Sequence, residues 1–163
     1  MKKKAVFLDR DGVLNRERGE YTYLTNNFEW VPDAIEALKL LNEQEYALII
    51  ISNQGGISKK IYSKTDVINI ENAIIQPLVK RNVQILDSFY CPHHSAIENC
   101  LCRKPKSLML EKAIAKHNID PAQSYFIGDS IRDMVAGQNV GVKGILMKAN
   151  DSLLLAVQDI LNE

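Results

Sequence analysis

The sequence has no excess of either charge and no long hydrophobic run. Its 163 residues include 20 basic and 20 acidic side chains, so it lacks the basic surplus that is typical of nucleic-acid-binding proteins. The apolar stretch behind Lys2–Lys4 covers only residues 5–8, which is too short for a secretory leader or a membrane span. We therefore expect a soluble, cytoplasmic protein that is a monomer. Its expected partner is a small molecule, and we expect it to bind neither nucleic acid nor a membrane.

Cysteine is also scarce. The only ones are Cys91, Cys100 and Cys102, and an odd number packed so closely is unsuited to a disulfide framework and favours metal ligation. Three thiolates and one imidazole form a closed tetrahedral shell of the kind found in structural Zn²⁺ sites. The one-residue gap after Cys91 matches the gap between Cys100 and Cys102, which favours His93 over His94 as the fourth ligand. The alternative is a group of reduced, buried cysteines.

What the sequence does contain is an alternation of apolar segments with segments of helical periodicity. The predicted strands cover residues 5–8, 47–51, 86–90, 124–127 and 144–147, and the predicted helices cover about 32–43, 64–81, 107–117, 131–139 and 152–161. Alternating strands and helices predict an α/β protein with one doubly wound parallel sheet and helices on both faces. No repeat or linker interrupts the pattern, so we expect a single domain over residues 1–163. Pro77 should kink the second helix.

Acidic residues follow two of the predicted strands. Asp9 and Asp11 come directly after the first strand, and Asp129 follows the fourth. Ligands of open α/β sheets bind at the carboxyl ends of the strands, so these carboxylates can address one site. One carboxylate there could attack or bind Mg²⁺ while another handles a proton. Asp133, one turn into the next helix, is expected to hold the loop or a metal-bound water; alternatively it is a first-turn residue favoured by the helix dipole.

Two further segments are suited to binding phosphate. Ser52 and Asn53 end the second strand beside a pair of glycines, where a hydroxyl and free backbone N–H groups can cradle phosphate oxygens. Arg103 and Lys104 follow Cys102 directly, and a cation near a transferring phosphoryl group would neutralise its charge. Taken alone, the first segment could be a plain turn and the second a solvated surface pair.

In chain order, these residues resemble the motifs of the haloacid dehalogenase-like (HAD) phosphatases, and the resemblance covers nearly the whole chain. It implies a Rossmann-like, capless sheet and Mg²⁺-dependent hydrolysis through an aspartyl-phosphate. By this resemblance Asp9 is the nucleophile, and Asp11 is the general acid and then base that also offers its carbonyl to Mg²⁺. Asp129 is then the remaining Mg²⁺ carboxylate, and Ser52 and Lys104 stabilise the phosphate. Val13 stands where many relatives have Thr, which removes one hydroxyl.

The cysteine-bearing loop with its following Arg103-Lys104 is similar to that of the zinc-loop HAD phosphatases. Two branches share it, one acting on a heptose bisphosphate and one on histidinol phosphate; the segment 27–30 and the tetrad 91–94 favour the heptose branch. There, Asn53 and Arg103 match positions that recognise the sugar bisphosphate, and Arg103 would bind the second phosphate. The histidinol branch would instead need Glu17 or Glu20 for a cationic group. A zinc-stabilised binding module without activity, and phosphotransfer to a sugar, remain as further alternatives.

Overall fold

In a computed structural model, which describes residues 1–162, every predicted strand is present. The strands are β1 (Ala5–Leu8), β2 (Ala47–Asn53), β3 (Ile85–Cys91), β4 (Tyr125–Gly128) and β5 (Lys143–Leu146). Their boundaries differ from the predicted ones by at most two residues. The strand pattern of apolar runs ended by polar or glycine residues was therefore a sound local signal.

The five strands form one parallel sheet in the order β3-β2-β1-β4-β5. The chain first adds strands on one side of β1 and then crosses to the other side. The carboxyl ends of β1, β2 and β4 consequently lie side by side at the point where the strand order reverses. Such a switch point is where open α/β sheets bind their ligands.

Within residues 1–162, five α-helices connect and follow the strands. They are α1 (Ala34–Glu43), α2 (Lys64–Val79), α3 (Leu108–His117), α4 (Ile131–Gln138) and α5 (Leu153–Leu161). The first begins at Ala34 and not at residue 32, because Asp33 has a φ of 58° and therefore lies outside the helical region. Pro77 lies inside α2, which continues to Val79, and the kink there remains a prediction.

Two hydrophobic cores cover the two faces of the sheet. Val6 and Leu8 of β1 pack in one core with side chains of α1, α2 and α5, whereas Ala5 and Phe7 pack in the other with side chains of α3 and α4. Alternate residues of a strand point to opposite faces, and all four are fully buried. This confirms the doubly wound sheet with helices on both faces. Among residues 1–162, no helix is both long and apolar enough to cross a membrane.

Candidate active site

A cleft of about 420 Å³ opens at the carboxyl ends of the central strands. Its lining includes six of the residues predicted from the sequence: Asp9, Asp11, Asn53, Arg103, Lys104 and Asp129. These residues come from the ends of β1 and β2, from the loop after β3 and from the end of β4. The topology therefore brings together motifs that are separated by up to 120 residues in the chain.

Three carboxylates lie close together here, of which two line the cleft and the third, Asp133, is fully buried. Asp9, Asp129 and Asp133 each offer an oxygen, and these atoms all lie within 4.8 Å of one another. Burial raises the pKa of Asp9 to about 7, Lys104 acts in the opposite direction, and Asp133 raises it further. Burial, and then Asp133, also raise the pKa of Asp129. Buried like charges are costly unless a cation offsets them, so this oxygen donor set fits a hard divalent cation such as Mg²⁺.

Gly12 makes room for one of these carboxylates. It has a φ of +86°, and a Cβ at this position would lie 2.1 Å from the Asp129 Oδ2 atom. Any side chain would therefore collide with Asp129 and would also strain the backbone. The glycine that follows Asp11 thus allows the β1 loop and the β4 loop to meet.

Lys104 is a buried cation and not a solvated surface residue. Its Nζ atom lies 2.8 Å from Asp9 Oδ1 and 2.8 Å from Asp133 Oδ1, and it donates to the Ile51 carbonyl at 2.8 Å. Burial acts to lower the pKa of Lys104, but the two carboxylates outweigh it and raise the pKa. The ammonium group therefore stays charged beside Asp9.

Asp133 is fully buried and serves two neighbours. Besides contacting Lys104, its Oδ2 atom accepts a hydrogen bond from the Ser130 N–H at 3.2 Å, and the two residues form a capping box at the start of α4. This hydrogen bond is a contact through which Asp133 can hold the loop, as predicted from the sequence. Through Lys104, Asp133 also fixes the charge next to Asp9.

The Asp11 carboxylate lies among hydrogen-bond donors from three residues. Arg10 donates from Nε to Oδ2 at 3.2 Å and from Nη2 to Oδ1 at 3.0 Å. Asn15 Nδ2 donates at 3.0 Å and Gln54 Nε2 at 3.2 Å. None of these three donors, Arg10, Asn15 and Gln54, is predicted as a site residue from the sequence. A polar residue enclosed between Asp9 and Asp11, or next to Asn53, is the signal that could have identified two of them.

Ser52 and Asn53 lie at the end of β2, where Ser52 is buried and Asn53 lines the cleft. Ser52 is 3% exposed, and its Oγ atom accepts a hydrogen bond from Gln54 Nε2 at 2.6 Å. Asn53 pairs with the backbone of Lys104, accepting from its N–H at 3.0 Å and donating to its carbonyl at 3.2 Å. Asn53 thus ties the end of β2 to the loop that carries Lys104.

The predicted Zn²⁺ ligands form a second cluster beside the cleft. The Sγ atoms of Cys91 and Cys102 are 3.1 Å apart, those of Cys91 and Cys100 are 3.7 Å apart, and His93 Nδ1 is 3.3 Å from Cys102 Sγ. Ligands bonded to one tetrahedral Zn²⁺ at about 2.3 Å would be separated by about 3.8 Å. The cluster is therefore of the right size and chemistry to bind a metal ion.

His94 lies outside this cluster. The Nδ1 atom of its ring accepts a hydrogen bond from the backbone N–H of Ala96 at 3.1 Å. The backbone N–H of His94 donates to Ser58 Oγ at 2.8 Å. The cluster of possible ligands contains His93 together with the three cysteines. His93, which the spacing favours, is therefore the histidine that lies with the cysteines.

Arg103 contacts the cysteine cluster and also lines the cleft. Its N–H donates to Cys100 Sγ at 3.4 Å, and its Nη1 atom donates to the His93 carbonyl at 2.9 Å. Burial acts to raise the pKa of the Cys100 thiol, but this N–H and other donors lower it to about 7. The guanidinium, which lines the cleft, is thus held by the same segment that would bind the metal.

Comparison with known proteins identifies the family. Residues 101–153 match a family model described as HAD-hydrolase-like. The chain is 37% identical over 150 residues to a D-glycero-β-D-manno-heptose-1,7-bisphosphate 7-phosphatase from Pasteurella multocida, covering 89% of this chain and 81% of the relative. The chain belongs to the HAD-like hydrolases. The resemblance seen in its motifs is therefore confirmed, and with it the prediction of a phosphoric monoester hydrolase.

Two further similarities bear on this HAD-like hydrolase. A Campylobacter jejuni protein named as the 7-phosphatase for the α-anomer is 37% identical over 151 residues, covering 93% of this chain and 85% of the relative. The crystal structure of a D,D-heptose 1,7-bisphosphate phosphatase from B. bronchiseptica, complexed with magnesium and phosphate, superposes with a TM-score of 0.89. It is 21% identical and covers 98% of both chains, so it establishes the fold.

Proposed function

We propose that this HAD-like hydrolase is a Mg²⁺-dependent phosphatase that removes the 7-phosphate of D-glycero-D-manno-heptose 1,7-bisphosphate through an aspartyl-phosphate on Asp9. The observation that carries the chemistry is the buried contact of Lys104 with both Asp9 and Asp133 at the floor of the cleft. The substrate is supported by the curated relatives, which are named for this bisphosphate.

In the first half of the reaction, a carboxylate oxygen of Asp9 forms a bond to phosphorus while the bond from phosphorus to the C7 oxygen breaks. Asp11 donates a proton to that leaving oxygen. Lys104, 2.8 Å from Asp9, offsets the repulsion between the carboxylate and the phosphate. Asp9, Asp129 and the Asp11 carbonyl would hold Mg²⁺, which supplies further positive charge when bound.

In the second half, Asp11 has become a carboxylate and can act as a base. It takes a proton from a water molecule as the water oxygen attacks the phosphorus of the aspartyl-phosphate. The bond to Asp9 breaks, and inorganic phosphate and free enzyme result. The donors around Asp11 from Arg10, Asn15 and Gln54 suit this charged form.

The second phosphate of the substrate would be bound by Arg103. Its guanidinium lines the cleft next to Lys104 and can bind a phosphate through two parallel hydrogen bonds. Zn²⁺ in the cluster of Cys91, His93, Cys100 and Cys102 would fix the segment that presents this side chain. The zinc therefore acts on specificity through position and not through chemistry.

A second candidate substrate is histidinol phosphate. Glu17 and Glu20 both line the cleft, where their carboxylates could accept the amine or imidazolium of that molecule. The curated relatives favour the heptose substrate, and the two candidates share the same chemistry at Asp9.

The test is the ratio kcat/KM with Mg²⁺ for both anomers of the heptose bisphosphate and for histidinol phosphate. We expect one heptose anomer to exceed histidinol phosphate at least 100-fold, which is about 2.7 kcal/mol of transition-state stabilisation. The variant Arg103→Lys should narrow that preference, because Lys cannot form the bidentate contact. The opposite preference would support the second candidate, and equally low rates would contradict both substrates.

A further inference from the structure

Tyr62 carries a buried hydroxyl group that takes no part in the reaction steps described above. It lies between β2 and α2 and is 7% exposed. Its hydroxyl donates to the Oε1 atom of Gln54 at 2.6 Å. Gly56 accommodates the ring, since a Cβ there would lie 2.1 Å from Tyr62 Cε1.

Gln54 connects this hydroxyl to the candidate general acid. It is 2% exposed, and its Nε2 atom donates both to Asp11 Oδ2 at 3.2 Å and to Ser52 Oγ at 2.6 Å. All polar atoms of the amide are therefore occupied. A carboxylate can only accept, so the amide must present its nitrogen, and not its oxygen, to Asp11.

The two hydroxyl groups around the amide are less selective than the carboxylate, because each can donate or accept. Ser52 Oγ can donate or accept, so it would tolerate a rotated amide. The Tyr62 hydroxyl, which stays protonated, donates to Oε1 and so gives this buried oxygen its partner. Burial raises the pKa of Tyr62 to about 12; Arg10 opposes this shift and Asp11 adds to it.

We propose that Tyr62 is a positioning residue for proton transfer, whose hydroxyl holds the Gln54 amide so that Nε2 faces the Asp11 carboxylate. Without the hydroxyl, Oε1 is left buried without a partner, which favours rotation of the amide toward Ser52. The amide oxygen would then face Asp11, where it would repel the carboxylate and would compete with the leaving oxygen for the proton of the acid form. Asp11 would lose one of the donors that hold it in place for the leaving oxygen.

The same residue links proton transfer to the wall of the cleft. The Tyr62 ring stacks on Tyr23, with centroids 5.3 Å apart and planes at 14°, and meets Tyr21 edge-on at 5.5 Å. Tyr21 lines the cleft. The loop that carries Tyr21 is thereby connected to Asp11 through one aromatic side chain and one amide.

The experiment measures kcat/KM of Tyr62→Phe on phosphate monoesters whose leaving groups differ in their need for a proton. It rests on the proposed role of Asp11 as general acid. We expect kcat/KM to fall about tenfold for the heptose bisphosphate or another alkyl phosphate, with the loss in kcat and not in KM. For p-nitrophenyl phosphate, whose leaving group needs no proton, the fall should be less than about twofold.

Two further variants make the result specific to this contact. Tyr23→Phe removes a hydroxyl from the stacked ring without touching Gln54, and should behave as wild type on both classes of substrate. In a Gln54→Met background, Tyr62→Phe should add no further leaving-group-dependent loss, because the amide through which it acts is gone. Melting temperatures of the variants would identify any general destabilisation.

The outcomes separate this proposal from the proposed function. If Asp11→Asn loses more activity on alkyl phosphates than on p-nitrophenyl phosphate but Tyr62→Phe falls equally on both, the role of Tyr62 is wrong. A full additional loss for Tyr62→Phe in the Gln54→Met background would also overturn it. If Asp11→Asn itself shows no dependence on the leaving group, the proposed role of Asp11 fails instead.

Discussion

At the scale of single residues, the floor of the cleft is an arrangement of charges that is unfavourable by itself. Asp9 and Asp133 are both buried, and one lysine lies between them. A buried ion pair is stabilising only when its partners remain together, because each charge has lost its hydration. This arrangement fits a divalent cation, because the cation would offset the negative charge that one lysine leaves.

Asp9→Asn should abolish turnover, because an amide cannot form the aspartyl-phosphate. We expect kcat to fall by at least about 10⁴-fold while the fold is retained, since an Asn side chain still fits next to Lys104. The measurement is steady-state turnover on the heptose bisphosphate with Mg²⁺. Asp159→Asn, at an exposed position of α5, is the matched control, and near-normal turnover of Asp9→Asn would rule out Asp9 as the nucleophile.

Lys104→Met should reduce both activity and stability. Removing one partner of a buried charge pair typically costs about 3–5 kcal/mol, and losing a charge that stabilises the transition state typically lowers kcat about 10²–10³-fold. Adding Asp133→Asn to this variant removes one of the stranded carboxylates, so the melting temperature should partly recover while kcat stays low. Recovery of kcat in the double variant would show that Lys104 acts only on stability.

At the scale of secondary-structure elements, the segment between β3 and α3 has little regular structure but carries two of the cleft residues. Arg103 contacts Cys100 and His93 within this segment, and Lys104 contacts Asn53 at the end of β2. A segment with few backbone hydrogen bonds of its own is ordered mainly by such contacts. A metal bound by the cysteine cluster would therefore fix the position of both cations.

Removal of zinc should lower activity without unfolding the sheet. A chelator that strips the cluster should reduce kcat/KM and the melting temperature, and added Zn²⁺ should restore both where Mg²⁺ alone does not. His93→Asn should lose bound zinc, whereas His94→Asn should keep about one equivalent, because His94 lies outside the cluster. Protein purified without chelators that contains no zinc would contradict the assignment.

At the scale of the whole molecule, the sheet ends in two edge strands, β3 and β5, and β3 is joined to α3 by a charged contact. Asp87 of β3 accepts hydrogen bonds from Lys116 Nζ at 2.7 Å and from His117 Nε2 at 2.6 Å. Burial acts to raise the pKa of Asp87, but these two donors outweigh it and hold the pKa below its ordinary value. The contact lies away from the residues that line the cleft.

This contact predicts a pH dependence of stability. Because the pKa of Asp87 is lower in the folded state, the contribution is present above the unfolded value of about 3.9 and is lost as pH falls through the folded value. Asp87→Asn should therefore lower the melting temperature by a few degrees at pH 6, for a loss of about 1 kcal/mol, and by progressively less as pH falls below about 3.9. Turnover should be unchanged. A difference that persists at low pH would assign the effect to packing and not to charge.

Much of the site follows from local sequence. The apolar run before Asp9 predicts a strand, and its abrupt acidic end predicts a ligand site, because both depend on neighbouring residues. The cysteine cluster could also be predicted from the sequence, since all its ligands lie within one short segment. The first residue of α1 could not be predicted as well, because helical periodicity does not indicate the left-handed backbone conformation of Asp33.

What the sequence by itself determined is the set of elements and the residues at their ends, because propensity and periodicity act over a few residues. Only the tertiary structure decided how those residues pair. The contact of Lys104 with Asp133, and the chain from Tyr62 through Gln54 to Asp11, join loops that meet because of the strand order β3-β2-β1-β4-β5. That order depends on how two hydrophobic cores cover both faces of the sheet at once, and no local pattern encodes it.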